Sequence, residues 1–228
     1  YALQTKGLVK KFGGFVATND VTLNVQAGAR HALIGPNGAG KTTLINLLTG
    51  FLEPTAGQVI LNDDDVTQLA QHQRVKRGLA RTFQINRLFA ELTVLESVVL
   101  AVNERLGLGA RFFKPVGAHT QAVQEAAELL HTLRLADVAH AQTRSLASGK
   151  QRLIEIALAL AAKPKVLLLD EPAAGMNPAE SAWLTDAIRG IQKDFQLSIL
   201  LIEHDMSVVM GLCQRLIVMD HGQKIAEG

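Results

Sequence analysis

"GPNGAGKTTL", residues 35–44, packs three glycines and a proline into one turn and then runs straight into Lys41, Thr42, Thr43 and Leu44, which read as a helix start. The apolar stretch HALI, residues 31–34, precedes it and has the composition of a buried strand. A strand, a glycine-rich turn and a helix with the spacing G-x-x-x-x-G-K-S/T form the arrangement in which a loop cradles phosphate. Glycines let successive backbone N–H groups turn inward toward phosphate oxygens, and the helix start adds its positive dipole end. The spacing therefore predicts that Asn37, Gly38, Ala39, Gly40, Lys41, Thr42 and Thr43 surround the phosphates of a nucleotide. Lys41 is expected to reach the β- and γ-phosphates, and the Thr42 hydroxyl to ligate Mg²⁺.

The rest of the chain is compatible with such a loop. At 228 residues it reads as one α/β domain with a subdomain. Apolar residues make up 48% and aromatic ones only 4%, so the core is built from Leu, Ile, Val and Ala, as suits helices packed on a parallel sheet. A net charge of +2 is too small to argue for a nucleic-acid surface. Cys213 is the single cysteine, so no intrachain disulfide forms and nothing suggests an oxidising compartment. The longest apolar run, LIEIALALAA at 153–162, contains Glu155 and falls short of the roughly 18–20 residues that span a bilayer. The opening YALQTKGLVKKFGG lacks the apolar segment of a secretory signal. A cytosolic soluble domain is expected, with attachment to a membrane protein left open.

Apolar runs mark strands near residues 8–10, 21–25, 30–34, 58–61, 79–83, 166–169, 198–202 and 216–219. Helical periodicity fits 41–48, 94–102, 120–133, 151–161, 178–191 and 206–213. Strands alternate with helices at both ends of the chain, whereas about 86–145 reads as helices alone. A domain division follows: 1–85 and 146–228 as a catalytic core, 86–145 as an inserted helical subdomain. Within the latter, residues 106–119 carry three glycines and a proline and read as an irregular loop.

A phosphate cradle needs a carboxylate-bearing strand, and KVLLLDEP at 165–172 supplies one. Two acids at the end of an apolar strand are costly unless paired, solvated or bound to metal. Asp170 fits the acid that holds Mg²⁺ through water, and Glu171, taken to point to the other side of the strand, fits an acceptor for the proton of an attacking water. Three further stretches narrow the family. LASGKQRLIEIALAL at 146–160 opens a helix with a small-residue turn, RTFQ ends at Gln84, and SILLIEHD carries His204 at a strand end. Taken alone, Gln84 is a polar loop residue and His204 an ordinary strand-end histidine.

In their order and spacing these stretches, together with GPNGAGKT and LLLDEP, resemble the ATP-binding-cassette (ABC) ATPases over essentially the whole chain. The resemblance implies a P-loop NTPase (RecA-like) α/β core with a mainly parallel sheet, an N-terminal antiparallel β subdomain and an inserted α-helical subdomain. It implies ATP and Mg²⁺ as ligands, with Thr42, Gln84 and Asp170 on the metal and Lys41, Gln84, Glu171 and His204 as catalytic groups. Phe12, in KKFGG, matches the aromatic that stacks on adenine; a plain surface or core Phe is the equal alternative. Residues 146–150 match the signature turn, whose Ser148 and Gly149 meet a nucleotide held by a second subunit, and AAGMN at 173–177 matches the D-loop, with Asn177 for the commoner aspartate.

The signature departs from L-S-G-G-Q: Ala147 lacks a hydroxyl, a loss of about 1.5–3 kcal/mol if a charged hydrogen bond goes with it, although Ser148 stands next to it. Lys150 lies in a first helical turn, where the dipole disfavours it by about 0.3–1 kcal/mol. Within the family the chain resembles the LivG-type ATP-binding subunits of bacterial branched-chain amino acid importers, on TGFLEPTAGQVIL, RTFQINRLFAELTVLESV and LLLDEPAAGMNPAE. The implied partners are a second ATP-binding subunit, identical or related, membrane permeases reached near Gln84 and residues 88–102, and indirectly a periplasmic solute-binding protein, with no nucleic acid. The implied place is the cytoplasmic face of the bacterial inner membrane. An export ATPase and a soluble ABC protein acting on nucleic acid or ribosomes are the alternatives; a P-loop kinase or GTPase would leave 146–150 and His204 without a role.

Overall fold

The structure is a computed structural model that describes residues 1–82, 91–108 and 120–228. The chain divides into two compact units, residues 1–81 with 165–228, and residues 82–164. The second unit extends to Pro164 and so takes in residues 146–164, which the sequence had grouped with the core.

The first unit opens with a hairpin. Strand β1 (Leu3–Phe12) pairs antiparallel with β2 (Phe15–Val25), and Gly13 turns the corner at φ 57° in a two-residue connection. β3 (Arg30–Ile34) leads through the glycine-rich loop to helix α1 (Lys41–Thr49). β4 (Ala56–Leu61) and β5 (Asp64–Asp65) complete a four-stranded antiparallel sheet of order β2-β1-β4-β5. α2 (Gln71–Lys76) then leads to β6 (Leu79–Arg81). Six residues are too few to display a helical period, so α2 is invisible in the sequence pattern. What fixes it is Arg74, 1% exposed, whose guanidinium donates to the carbonyls of Leu47, Leu48, Thr67 and Leu69 at 2.7–2.9 Å. Two of those carbonyls belong to the last turn of α1, where few helical N–H groups remain to meet them; the Gly50 N–H reaches the Leu47 carbonyl at 3.3 Å.

The second unit is helical: α3 (Val94–Arg105), α4 (Thr120–Thr132) and α5 (Ser148–Leu160), with α3 packed on both others. α3 starts with a capping box in which the Thr93 hydroxyl accepts from the Glu96 N–H and the Glu96 carboxylate accepts from the Thr93 N–H. Arg105 donates to the Ala161 carbonyl at 2.8 Å and pairs with Glu125, tying α3 to the middle of α4 and the end of α5. Among its described residues the only strand-like pairing is the single bridge Thr93–Gln142.

Back in the first unit, β7 (Val166–Asp170), α6 (Pro178–Asp194), β8 (Ser198–Ile202), α7 (Met206–Leu212), β9 (Arg215–Asp220) and β10 (Gln223–Glu227) close a six-stranded sheet of order β10-β9-β3-β8-β7-β6. Every pairing in it is parallel except β9 with β10. β7 and β8 are almost wholly buried, and their unbroken apolar runs are what a sheet covered on both faces demands. Leu33, Leu44, Ile45, Leu48, Leu168, Leu200 and Met219 share one core with Leu3, Leu23, Val59 and Leu61 of the antiparallel sheet, so the two sheets of this unit pack as one body. Each such leucine contributes about 1.5–3 kcal/mol by leaving water. For function the decisive point is strand order: β8 lies between β3 and β7, so three loops leave neighbouring carboxyl ends, where open α/β sheets bind ligands.

Candidate nucleotide site

The loop after β3 is shaped by its glycines. Gly35, Gly38 and Gly40 take φ of 151°, 82° and 93°. At two of them space is also limiting: a Cβ on Gly35 would stand 2.1 Å from the Met219 carbonyl oxygen, and one on Gly40 2.6 Å from that of Ala17. The Ala39 carbonyl accepts from the Gly222 N–H at 3.0 Å, which binds the loop to the turn between β9 and β10. α1 begins at Lys41 with no side-chain cap, leaving its first N–H groups and positive dipole end to the cleft. Lys41 is 7% exposed, and its ammonium donates to the carbonyls of Gly35 at 2.7 Å and Pro36 at 2.9 Å.

The loops after β7 and β8 close the opposite side. The strand alternation assumed for Glu171 does not apply, because β7 ends at Asp170 and Glu171 turns away from it at φ 47°. Its N–H is held by the Ile202 carbonyl at 2.9 Å, which turns the side chain toward β8. There Glu171 Oε1 meets His204 Nε2 at 2.7 Å, with both side chains nearly half exposed. Left-handed backbone costs a non-glycine residue about 1–2 kcal/mol, the kind of strain that accumulates at functional sites.

A cleft of about 270 Å³ opens among these loops, lined by Asn37, Gly38, Ala39, Gly40, Lys41, Thr42, Thr43, Glu171 and His204, together with Phe15, Ala17 and Ile202. The first nine were expected from the sequence and the last three were not. Phe12 does not line the cleft; Phe15 does, 65% exposed, and it is Phe12's partner across the β1–β2 pairing. A lone aromatic after a double glycine was the one available signal, and choosing between the two needed the hairpin register.

Asp170 also stays outside the lining. Its carboxylate pairs with Arg81 at 2.6 Å, and Arg81 bonds in turn to Asn46 of α1 at 2.9 Å. Sequence reading missed Arg81, although it stands in the quoted RTFQ. Gln84 lies outside the described residues. Ser148 and Gly149 belong to the second unit, in the first turn of α5. There Lys150, which the helix dipole disfavours, donates to Asp137 at 2.6 Å, and that contact holds the Asp137 carboxyl below its ordinary range. Asn177 caps α6, accepting from the Glu180 N–H at 3.0 Å ahead of Pro178.

A buried lysine, uncapped helix N–H groups and a carboxylate–histidine pair around one small cleft suit a polyphosphate and a hydrolytic step. The family profile described as ABC transporter matches residues 18–174. The high-affinity branched-chain amino acid transport ATP-binding protein LivG of Escherichia coli (strain K12) is 42% identical over 231 residues, spanning 99% of this chain and 91% of that protein. The corresponding protein BraF of Pseudomonas aeruginosa is 38% identical with the same coverage. The crystal structure of a nucleotide-free ATP-binding cassette from an ABC transporter superposes with a TM-score of 0.90 at 33% identity, covering 100% of this chain and 90% of that one. The profile match over more than half of the chain, the identity along nearly all of it and the cleft at the carboxyl ends of β3, β7 and β8 agree: the chain belongs to the ABC transporter family and is an ATPase.

Proposed function

We propose that this ATPase is the ATP-hydrolysing subunit of an importer of branched-chain amino acids, working on the cytoplasmic face of a bacterial inner membrane. The observation that carries the catalytic part is the contact of Glu171 with His204 at 2.7 Å beside the phosphate loop. The cargo rests on the relatives named for branched-chain amino acid transport.

ATP enters with its phosphates against the N–H groups of residues 38–43, and Lys41 exchanges its two loop carbonyls for β- and γ-phosphate oxygens. Phe12 and Phe15, paired at the tip of the hairpin, offer a ring for the adenine. The Thr42 hydroxyl, which lines the cleft, suits Mg²⁺, an ion that takes oxygen donors; the Asp170 carboxylate, outside the lining and paired with Arg81 at 2.6 Å, would hold the ion through water. When bound, the ion neutralises charge on the phosphates. Glu171 accepts the proton of the attacking water, and His204, held by the same carboxylate, faces the γ-phosphate as charge develops on it. Gln84 is assigned to the metal and the water.

Ser148 and Gly149 are proposed to meet the nucleotide of a second ATP-binding subunit, and residues near Gln84 and 88–102 to contact the permeases, which a periplasmic binding protein supplies with solute. Labelled leucine uptake tests the cargo. Cells lacking this protein should lose uptake of leucine, isoleucine and valine, regain it with the wild type, and not with Lys41→Ala. Unchanged uptake in the deletion strain refutes the importer reading while leaving the ATPase intact.

A further inference from the structure

Glu203 stands next to His204 without lining the cleft. It is 4% exposed, and its carboxylate is occupied by backbone donors from two different turns. Oε1 accepts from the Ala173 N–H at 2.8 Å; Oε2 accepts from the His204 N–H at 2.9 Å and, more weakly, from the Asp205 N–H at 3.4 Å. A buried acid is tolerated when hydrogen bonds replace its water, and such charge-assisted bonds to backbone N–H groups are the strong kind. The geometry also has a direction. Ala173 lies in the turn that Glu171 opens in left-handed backbone, and Asp205 begins the cap of α7, accepting from the Ser207 N–H at 2.8 Å. Glu203 therefore brackets the turn that carries Glu171 to the turn that carries His204, alongside the Glu171 N–H bond to the Ile202 carbonyl.

We propose that Glu203 is a positioning residue for ATP hydrolysis: it sets the mutual placement of Glu171 and His204 by holding the backbones of both turns, and does not itself touch the nucleotide. Only an acceptor at both oxygens does this. A glutamine fills the same volume but aims an NH₂ group at the N–H donors of one of the two turns, so one side of the bracket opens. An aspartate keeps the charge but is one methylene too short to span both turns. Neither change alters the phosphate loop, whose contacts run to Ala17, Met219 and Gly222 instead. Loss of the bracket should therefore lower the rate of the chemical step and spare ATP binding, since misplacement of about 1 Å costs roughly 100-fold in rate.

The test is single-turnover ATP hydrolysis and equilibrium ATP binding on the full-length protein. Glu203→Gln and Glu203→Asp should each lower the hydrolysis rate at least fivefold, with the ATP Kd within twofold of wild type. In a His204→Ala background the further effect of Glu203→Gln should shrink below twofold, because the residue acts through the pair. A fall of less than fivefold in both variants, a Kd that rises as much as the rate falls, or an undiminished effect beside His204→Ala overturns the proposal. Should Glu203→Gln fail to fold in a thermal melt, Glu203→Asp is judged by the same criteria. The inference rests on Glu171 and His204 being the reacting pair, and that reading fails separately: a fully active Glu171→Gln sinks it, whereas an inactive Glu171→Gln beside active Glu203 variants sinks the bracket alone.

Discussion

Replacing Gly40 by alanine adds one methyl group at the place where the phosphate loop meets α1. Two costs follow. At φ 93° the backbone is left-handed, which a residue with a Cβ takes at about 1–2 kcal/mol. The new Cβ would also lie 2.6 Å from the Ala17 carbonyl oxygen and 3.3 Å from Gly222 Cα, where ordinary contact begins at 3.4 Å. Both neighbours are backbone, so no side chain can swing aside, and overpacking of this kind costs about 1–3 kcal/mol. Gly38→Ala is the internal control: its φ of 82° carries the same conformational cost, yet nothing lies within 4 Å of its Cβ. For a protein of this size about 2–4 °C is lost per kcal/mol, so Gly38→Ala should lower Tm by about 2–8 °C. Gly40→Ala should lose roughly twice as much. It should also weaken ATP binding more, because relieving the clash strains the Gly222 N–H bond to the Ala39 carbonyl and moves the loop that receives phosphate. Differential scanning fluorimetry and titration with a fluorescent ATP analogue measure both. Variants that melt within 2 °C of each other and bind ATP equally would refute the claim that backbone packing, rather than φ alone, sets the loop.

Glu171→Gln should reduce single-turnover hydrolysis by about 100- to 10,000-fold, the usual worth of a general base, while ATP binding and Tm stay near wild type because the side chain is nearly half exposed. Arg74→Met should lower stability by about 3–9 kcal/mol in urea unfolding, since the carbonyls of Leu48, Thr67 and Leu69 lose a charged donor at about 1–3 kcal/mol each. A loss under 1 kcal/mol would mean that water replaces the guanidinium. His31 on β3 is fully buried, and neither ring nitrogen has a hydrogen-bond partner among the described residues. Burial, and then Arg215 nearby, push its pKa below 6.5 against a weaker opposite pull from Glu227, so the folded state takes up a proton less readily than the unfolded chain. Its stabilising contribution is complete above pH 6.5 and declines as pH falls through the lowered folded value, by at most about 1.4 kcal/mol per pH unit. His31→Val should flatten unfolding free energy between pH 5 and 7 by that amount; an unchanged slope would show that other groups carry it.

Local chemistry determined much of this protein. The loop from Gly35 to Thr43 needs glycines where φ is positive, a lysine for charge and a strand and helix on either side, all of which are contiguous in the chain and legible there. The same holds for β7 and β8, whose unbroken apolar runs announce burial on both faces, and for the acids and histidine placed at their ends. Less was legible where an element is short or polar: β1, an interior strand, reads as three residues but runs from Leu3 to Phe12, and β10, an edge strand, was not read at all, because both carry many polar residues and so show little apolar pattern. Tertiary structure alone decided which ends meet. Only the order β3-β8-β7 brings Glu171 and His204, 33 residues apart, to 2.7 Å beside Lys41. Only the hairpin register selects Phe15 for the cleft, and only the fold reveals Arg81 on Asp170 and Glu203 between two turns. Those roles rest on hydrogen bonds between segments distant in the chain, and no pattern within a single segment encodes where its partner lies.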